Sequence, residues 1–206
     1  MAANHKRTSE VKMKTFPPLD MSTFSGDYTY WSKVTGRSVR LDEVVSRFFP
    51  GIRAMMRSHA IDKKDSFGFA LATVDNDPES VWNNPSELIA FVAGWGDDQD
   101  RYCANAIRKI RPGARDGMDT QLIRLHYPEL FVDKVESEED DGTYTWGDFP
   151  WDGAVWADVP LLGQGWRLLG AVSALPKEQD PIVARTLVDA VGLAMWKADQ
   201  PLLEPA

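Results

Sequence analysis

The chain has 206 residues, of which 43% are hydrophobic, so it is long and apolar enough for one domain with a sizeable core. Its formal net charge of −8 argues against nucleic acid and against an anionic membrane surface as partners, because both require a basic footprint. The single Cys103 excludes an internal disulfide framework, and no apolar run resembles a signal segment or approaches the ~20 residues of a membrane span, so we expect a soluble cytoplasmic protein.

Residues 1–37 are predicted to form an N-terminal arm, because the segment is polar, rich in turn-forming residues and without a sustained hydrophobic period. Apolar side chains in its second half are expected to hold it against the domain or against a neighbouring subunit. They are Phe16, Leu19, Met21 and Phe24.

The first helix is predicted over residues 38–60, where apolar residues recur at three- and four-residue spacing. This stripe comprises Leu41, Val44, Val45, Phe48, Ile52, Met55 and Met56. Pro50 lies inside the pattern, so we expect a kink or a break near Phe49.

Two hairpins are predicted from short apolar runs bounded by turn residues. Residues 67–74 and 87–95 form the first, whose long loop carries Trp82 as a binding element or as packing on the body of the domain. Residues 153–162 and 166–174 form the second, joined through Gly163-Gln164-Gly165.

Two helices are predicted between the hairpins. One begins near Asp98 and ends at Pro112-Gly113, and a shorter one runs from Asp119 or Thr120 towards Tyr127. Residues 133–151 follow as an irregular acidic and aromatic insertion.

The last helix is predicted to begin with Pro176 in its first turn and to bear one continuous apolar stripe, followed by a loose tail at residues 200–206. The stripe comprises Val183, Leu187, Val188, Val191, Ala194 and Met195. Taken together, the elements predict an α+β fold in a single domain over residues 38–199. In this fold an antiparallel sheet carries packed helices, in the order α-β-β-α-α-β-β-α.

Four segments together resemble the motifs of one known family, the GlcG/HbpS-like (haem-degrading) domain family. They are Ala72-Thr73-Val74-Asp75 with Leu88-Ile89-Ala90-Phe91, the pair Lys109 and Thr120, Val159-Pro160, and Gly170-Ala171-Val172-Ser173 with Glu178-Gln179-Asp180. The likeness covers roughly residues 38–197. It implies haem or another tetrapyrrole as ligand, and a homo-oligomer.

The chain also departs from the family pattern at glycine positions. Ala157-Asp158 replaces the paired glycines before Val159, and Ala174-Leu175 replaces the glycines after Ser173. Glycine lets a backbone approach a ligand closely, so these changes indicate a diverged member with an altered ligand.

Three residues are candidates for acid–base chemistry. His126 is either a haem ligand or proton shuttle, or a structural histidine. Asp158, beside the Val159-Pro160 segment, can serve as a base if its pKa is raised, and Lys109 is the third candidate. No pair of histidines has metal-ligand spacing, so we expect no protein-built metal site.

The candidate ligand-binding residues are cationic or aromatic, or lie in the segments that resemble the family. Lys109 and Arg111 are suited to hold a carboxylate or a haem propionate, although a solvated basic face would look the same in the sequence. The remaining candidates are Thr120, Trp146, Trp151, Trp156, Val159 and Pro160. The tryptophans suit a flat apolar ligand, or else they fill the core.

Three hypotheses for function follow. The first is binding of a small molecule, haem-like or otherwise flat and apolar. The second is an enzyme that acts by acid–base chemistry on an apolar metabolite with a carboxylate or carbonyl group. The third is a non-catalytic assembly or interaction protein.

Overall fold

The computed structural model describes residues 28–58, 66–73, 89–126, 152–161, 164–176 and 178–201. Within these ranges the chain forms six strands and five helices. They are β1 (Thr29–Trp31), β2 (Ser38–Arg40), α1 (Leu41–Ser46), α2 (Phe49–Ser58), β3 (Phe67–Thr73), β4 (Ile89–Trp95), α3 (Gln99–Asp116), α4 (Thr120–His126), β5 (Ala154–Leu161), β6 (Gln164–Ser173) and α5 (Asp180–Asp199).

The main sheet has four antiparallel strands in the order β4-β3-β6-β5, so β4 and β5 are its edges. A second antiparallel sheet consists of β1 and β2 alone. Each hairpin pairs strands that are neighbours in sequence, and β6 joins the two hairpins by pairing with β3. The α+β fold with an antiparallel sheet is therefore confirmed.

Both faces of the main sheet are buried, and the strand sequences show how. In β3 the large side chains of Phe67, Phe69 and Leu71 enter one core, while Ala70 and Ala72 enter the other. This follows from the two-residue period of a strand. The first core also receives apolar residues from α1, α2 and α5, and the second receives those of α3.

The small side chains of the second core allow α3 to lie very close to the sheet. At Gly68 an added Cβ would lie 2.2 Å from the backbone carbon of Tyr102, a distance that no side chain can occupy. Glycine at this position therefore fixes the distance between α3 and β3.

The predicted first helix is wrong in two respects. Residues 38–40 form strand β2, and the remainder divides into α1 and α2, with Pro50 in the first turn of α2. The expected break near Phe49 is confirmed. Proline is tolerated in a first turn because the N–H it lacks would have no partner there.

The predicted end of α3 at Pro112-Gly113 is also wrong. The helix continues to Asp116 and ends at Gly117, which has a left-handed φ of 65°. Pro112 removes only its own N–H from the helix, while Ala114 beyond it is still buried in the second core. Packing on the sheet therefore carries the helix past the proline.

The two predicted hairpins and the short helix α4 are confirmed to within two residues at the boundaries that the structure describes. The last helix begins later than predicted, at Asp180, with Pro181 instead of Pro176 in its first turn. Two short strands precede α1, and the predicted first helix is divided in two, so the observed order is β-β-α-α-β-β-α-α-β-β-α. Most of the arm, the Trp82 loop, the insertion at 133–151 and the end of the tail lie outside the described residues.

Candidate functional site

A group of polar residues, here called the buried cluster, lies where α3, the start of β5 and the start of α5 meet. It comprises Lys109, Thr120, Asp152, Gly153 and Asp180. Lys109 is 1% exposed, and its Nζ lies 2.5 Å from Oδ2 of Asp180 and donates to the carbonyl of Val172 at 2.8 Å. The ammonium group is thus held inside the protein by one carboxylate and one carbonyl.

The other carboxylate oxygen of Asp180 shapes the turn after β6. Oδ1 accepts the backbone N–H of Leu175 at 3.0 Å, which fixes the path of the chain between β6 and α5. The residue before it, Ala174, has a φ of 128°, which is unusual for any residue except glycine. Ala174 therefore keeps a backbone conformation that glycine favours.

Gly153 closes the cluster from the side of β5. It has a φ of 137°, and an added Cβ would lie 2.9 Å from Nζ of Lys109 and 2.8 Å from the carbonyl oxygen of Val172. Both the backbone conformation and the close contact therefore require glycine at this position.

Burial shifts the ionisation of both partners in the central ion pair. Burial raises the pKa of Asp180 to about 6, although the Lys109 ammonium beside it acts in the opposite direction. Burial also lowers the pKa of Lys109, against the attraction of Asp180. Both shifts favour the neutral forms. The free energy lost when each charge is removed from water exceeds the free energy gained from its attraction to the other charge.

Asp152 completes the charge in the buried cluster. Its Oδ2 accepts a hydrogen bond from Nη1 of Arg124 at 3.0 Å, whereas its Oδ1 is buried without a hydrogen-bond partner among the described residues.

Thr120 covers one part of the outer edge of β5. Its Oγ1 accepts the N–H groups of Gly153 at 3.0 Å and Ala154 at 3.1 Å, and it donates to the carbonyl of Ala154 at 3.3 Å. A single buried hydroxyl therefore satisfies three backbone groups that no neighbouring strand pairs.

The next outward-facing residue of β5 is covered by an ion pair. The N–H of Trp156 donates to Oδ1 of Asp119 at 2.7 Å, and its carbonyl accepts a hydrogen bond from Arg185. Arg185 also lies 2.9 Å from Oδ2 of Asp119. Further along this edge Pro160 has no N–H to offer, so most of the β5 edge is closed to another strand.

Asp158 and Trp156 meet through one arginine of β6. Nε of Arg167 lies 3.1 Å from Oδ1 of Asp158, and the Arg167 guanidinium lies 4.2 Å from the centre of the Trp156 ring. The Trp156 indole is buried and donates to the carbonyl of Gly113 at 3.0 Å. Asp158 is exposed to solvent, with its side chain 83% accessible.

Two open grooves flank the outer surface of α5, and Leu193 belongs to both. The smaller one, of about 340 Å³, lies between α5 and β5, and we call it the acidic groove. Its rim carries Asp158 and Asp189, and its remaining residues are Ala157, Val159, Val188, Gly192, Leu193 and Trp196.

The larger groove, of about 570 Å³, lies between α5 and the segment from β2 to α2, and we call it the basic groove. Four cationic residues line it: Arg37, Arg40, Arg47 and Lys197. Its apolar residues are Val39, Val44, Phe48, Ala190, Leu193, Ala194 and Ala198. Glu43 is the acidic residue of this lining.

The β1–β2 hairpin holds the two walls of the basic groove together. Asp199, near the end of α5, accepts hydrogen bonds from Ser32 at 2.7 Å and from Tyr30 at 3.3 Å. Burial and the Asp199 carboxylate raise the pKa of Tyr30 to about 12, so its hydroxyl stays a donor at neutral pH. Thr35 and Arg37 add hydrogen bonds to carbonyls in the last turn of α5.

The four cations of the basic groove differ in whether they already form hydrogen bonds or ion pairs with other residues. Arg37 donates to the carbonyls of Lys197 and Gln200, and Arg40 pairs with Asp42 at 2.6 Å. The side chains of Arg47 and Lys197 are exposed and have no ion pair with another described residue. These two cations are therefore the ones available to an incoming anion.

The predicted site residues are distributed over separate places. Lys109 and Thr120 meet in the buried cluster, where Gly153 contacts both. Asp158 and Val159 line the acidic groove, and His126 is exposed at the end of α4. Trp146 and Trp151, like the side chains of Arg111 and Pro160, lie outside the described parts of the chain.

Sequence reasoning missed the basic groove because its residues come from both ends of the domain. The sequence predicts Arg37 in the arm and Arg40 in the first helix, and Lys197 lies outside the predicted apolar stripe of the last helix. A basic cluster at Arg37, Arg40 and Arg47 in an acidic protein was the signal that could have indicated it.

No family model matches the chain, and a search of curated proteins finds no match. Among the described residues no helix has the length and apolar character needed to cross a bilayer, and no group of three or more potential metal ligands occurs.

Proposed function

We propose that this protein binds a small amphipathic molecule with a carboxylate group in the basic groove. The observation that supports the proposal is the lining, in which four cationic residues border an apolar surface in a chain of net charge −8. A local cluster of cations attracts an anion even though the net charge of the chain is negative. The apolar residues provide contact area for the body of the ligand.

The dimensions of the groove fit this class of ligand. Its volume of about 570 Å³ lies within the ~300–1,000 Å³ of small-molecule pockets. Arg47 is free to take a carboxylate with its guanidinium fork, and Arg37 is held in place by the last turn of α5. The ligand would therefore lie with its apolar body on α5 and its carboxylate towards Arg47.

A tetrapyrrole, the ligand implied by the family resemblance, fits this groove only in part. The cations suit its carboxylates and the apolar residues suit its ring, but no described lining residue is a histidine, cysteine, methionine or tyrosine that would bind an iron. We infer that recognition would depend on the carboxylates and the ring and not on iron. His126 on α4 is not among the groove residues.

The enzyme hypothesis has weaker support from the same geometry. Lys109 is fully engaged in the buried cluster and lines neither groove. Asp158 is exposed on the rim of the acidic groove, and its carboxylate is already engaged by Arg167. Binding without a chemical step therefore remains the proposal.

The test is a titration of the purified full chain with haem and with metal-free protoporphyrin, followed by absorbance and by calorimetry. We expect both to bind with the same dissociation constant within about threefold, because iron makes no bond. Arg47→Glu should weaken binding by about tenfold or more, since it replaces an attractive charge with a repulsive one.

Lys33→Glu is the matched control, because it makes the same charge change at an exposed residue outside the groove. It should leave the affinity within about twofold. Binding of haem alone, abolished by His126→Ala, would place the ligand elsewhere. If neither compound binds, a long-chain carboxylic acid tests the ligand class, and no saturable binding of that acid would refute the proposal.

A further inference from the structure

The outer surface of α5 carries a stripe of exposed residues with an unusual symmetry. Leu193 is 51% exposed and Trp196 is 38% exposed, although both are large and apolar. On the same side of the helix lie the exposed residues Thr186, Asp189 and Lys197 and the half-buried Ala190, and Gln200 follows as the C-cap.

The charges in this stripe are placed evenly about Leu193. Asp189 lies four residues before it and Lys197 four residues after it, so each lies about 6 Å from Leu193 along the helix axis. Both side chains are exposed, and neither has an ion pair within the described part of the chain. One end of the stripe is thus negative and the other end is positive.

An antiparallel second copy of α5 would complement this stripe residue by residue. A two-fold axis at Leu193 sets Asp189 of each copy level with Lys197 of the other copy, and Leu193 against itself. The same operation sets Trp196 beside Ala190, whose small side chain allows close approach. Charge and shape therefore match in one register.

We propose that two copies of this chain associate through their α5 helices in an antiparallel pair centred on Leu193. Two Asp189–Lys197 ion pairs flank a contact made by Leu193 and Trp196. The family resemblance implies an oligomer without specifying an interface, and this interface rests on the α5 stripe alone. Its test requires no ligand.

The pairing has a consequence for the basic groove. Ala190, Leu193 and Lys197 belong both to the stripe and to the lining of the groove. The α5 helix of the second copy would therefore lie beside the groove and form an outer wall, while Arg47 on the opposite side stays free for the ligand.

The test is a charge exchange measured by sedimentation over a range of concentrations with the full chain. We expect the wild-type protein to be a dimer, and Asp189→Lys and Lys197→Asp each to weaken dimerisation by at least about tenfold, because each sets two like-charged pairs together. The double variant should recover wild-type affinity within about threefold, since it restores both pairs with reversed orientation.

Mixing the two single variants provides the sharper measurement. In the mixed dimer the introduced lysine faces the introduced aspartate, and native Lys197 faces native Asp189, so the mixture should dimerise although each variant alone does not. Asp97→Lys and Lys33→Asp, at exposed residues outside α5, are matched controls and should not change the dimer.

A wild-type protein that stays monomeric at every concentration would overturn the inference. Dimers that persist unchanged in both single variants would show that the contact lies on another surface. Single variants that weaken the dimer without recovery in the mixture or in the double variant would exclude the antiparallel register.

Discussion

The buried cluster and the basic groove both contain cationic side chains. The cation of the buried cluster is enclosed and paired, whereas those of the basic groove border an open surface. Lys109 is enclosed and held by Asp180 and by the carbonyl of Val172, so its charge is already used to join α3 to α5. Arg47 is exposed and forms no ion pair with another described residue. Lys109, a candidate for acid–base chemistry and for ligand binding in the sequence, therefore helps to hold the framework of the fold together.

The largest expected difference in stability is between removal of a cation from the buried cluster and removal of a cation from the basic groove. Lys109→Met should lower the free energy of unfolding by about 3–5 kcal/mol, because Asp180 would remain buried without its partner. Arg47→Met, a matched change in the basic groove, should alter it by less than about 0.5 kcal/mol. Urea denaturation measures both values.

A double variant separates the pair from its surroundings. Lys109→Met with Asp180→Asn should lose less stability than the sum of the two single variants, since the second change removes the uncompensated charge. Additive losses would mean that the two side chains do not stabilise each other.

The dependence on pH sharpens the comparison, with a somewhat smaller effect. The pKa of Asp180 is raised from 3.8 to about 6 in the folded protein, so between these values the folded state binds more protons than the unfolded state. The stability that this group contributes is fully present near pH 4 and is lost as the pH rises through 6. A change of about 3 kcal/mol corresponds to a shift of this size.

Unfolding of the wild type and of Asp180→Asn at several pH values measures this contribution, because the variant lacks the titrating group. The wild type should gain stability relative to the variant as the pH falls from about 6 to about 4. A constant difference over that interval would contradict the raised pKa.

The smallest expected effect concerns the turn beside the buried cluster. Ala174→Gly should raise the free energy of unfolding by about 1 kcal/mol, because a φ of 128° strains alanine and not glycine. Ala54→Gly, at an exposed position inside α2, serves as the control and should lower stability by about 1 kcal/mol. Equal losses in thermal unfolding would show that Ala174 is not strained.

The strands and the main helices could be predicted from the sequence because their patterns are local. Two local patterns indicate which face of an element is buried. They are the alternation of large and small residues in β3 and the apolar stripe of α5. The end of α3 could not be predicted, since contacts of Ala114 with the sheet outweigh the local effect of Pro112. Such contacts come from residues that are far apart in sequence.

For the candidate site, the sequence indicated residue types but not their surroundings. Lys109 and Thr120 lie in the same buried cluster, where Lys109 donates to the carbonyl of Val172 and Thr120 accepts the N–H of Gly153. Their burial, and the partners Asp180 and Gly153, depend on how three elements meet. The basic groove depends on two segments more than 140 residues apart, as in the contact of Arg37 with Lys197, where the separation is 160.

The connection between the β1–β2 hairpin and α5 has a consequence for the order of events during synthesis. Ser32 and Asp199 are 167 residues apart, and their hydrogen bond joins the earliest described element to the last helix. A chain made from its N-terminus would complete the sheet hairpins before α5 leaves the ribosome. The β1–β2 hairpin can pack against α5 only after α5 has been synthesised. The basic groove is therefore among the last parts of the protein to form.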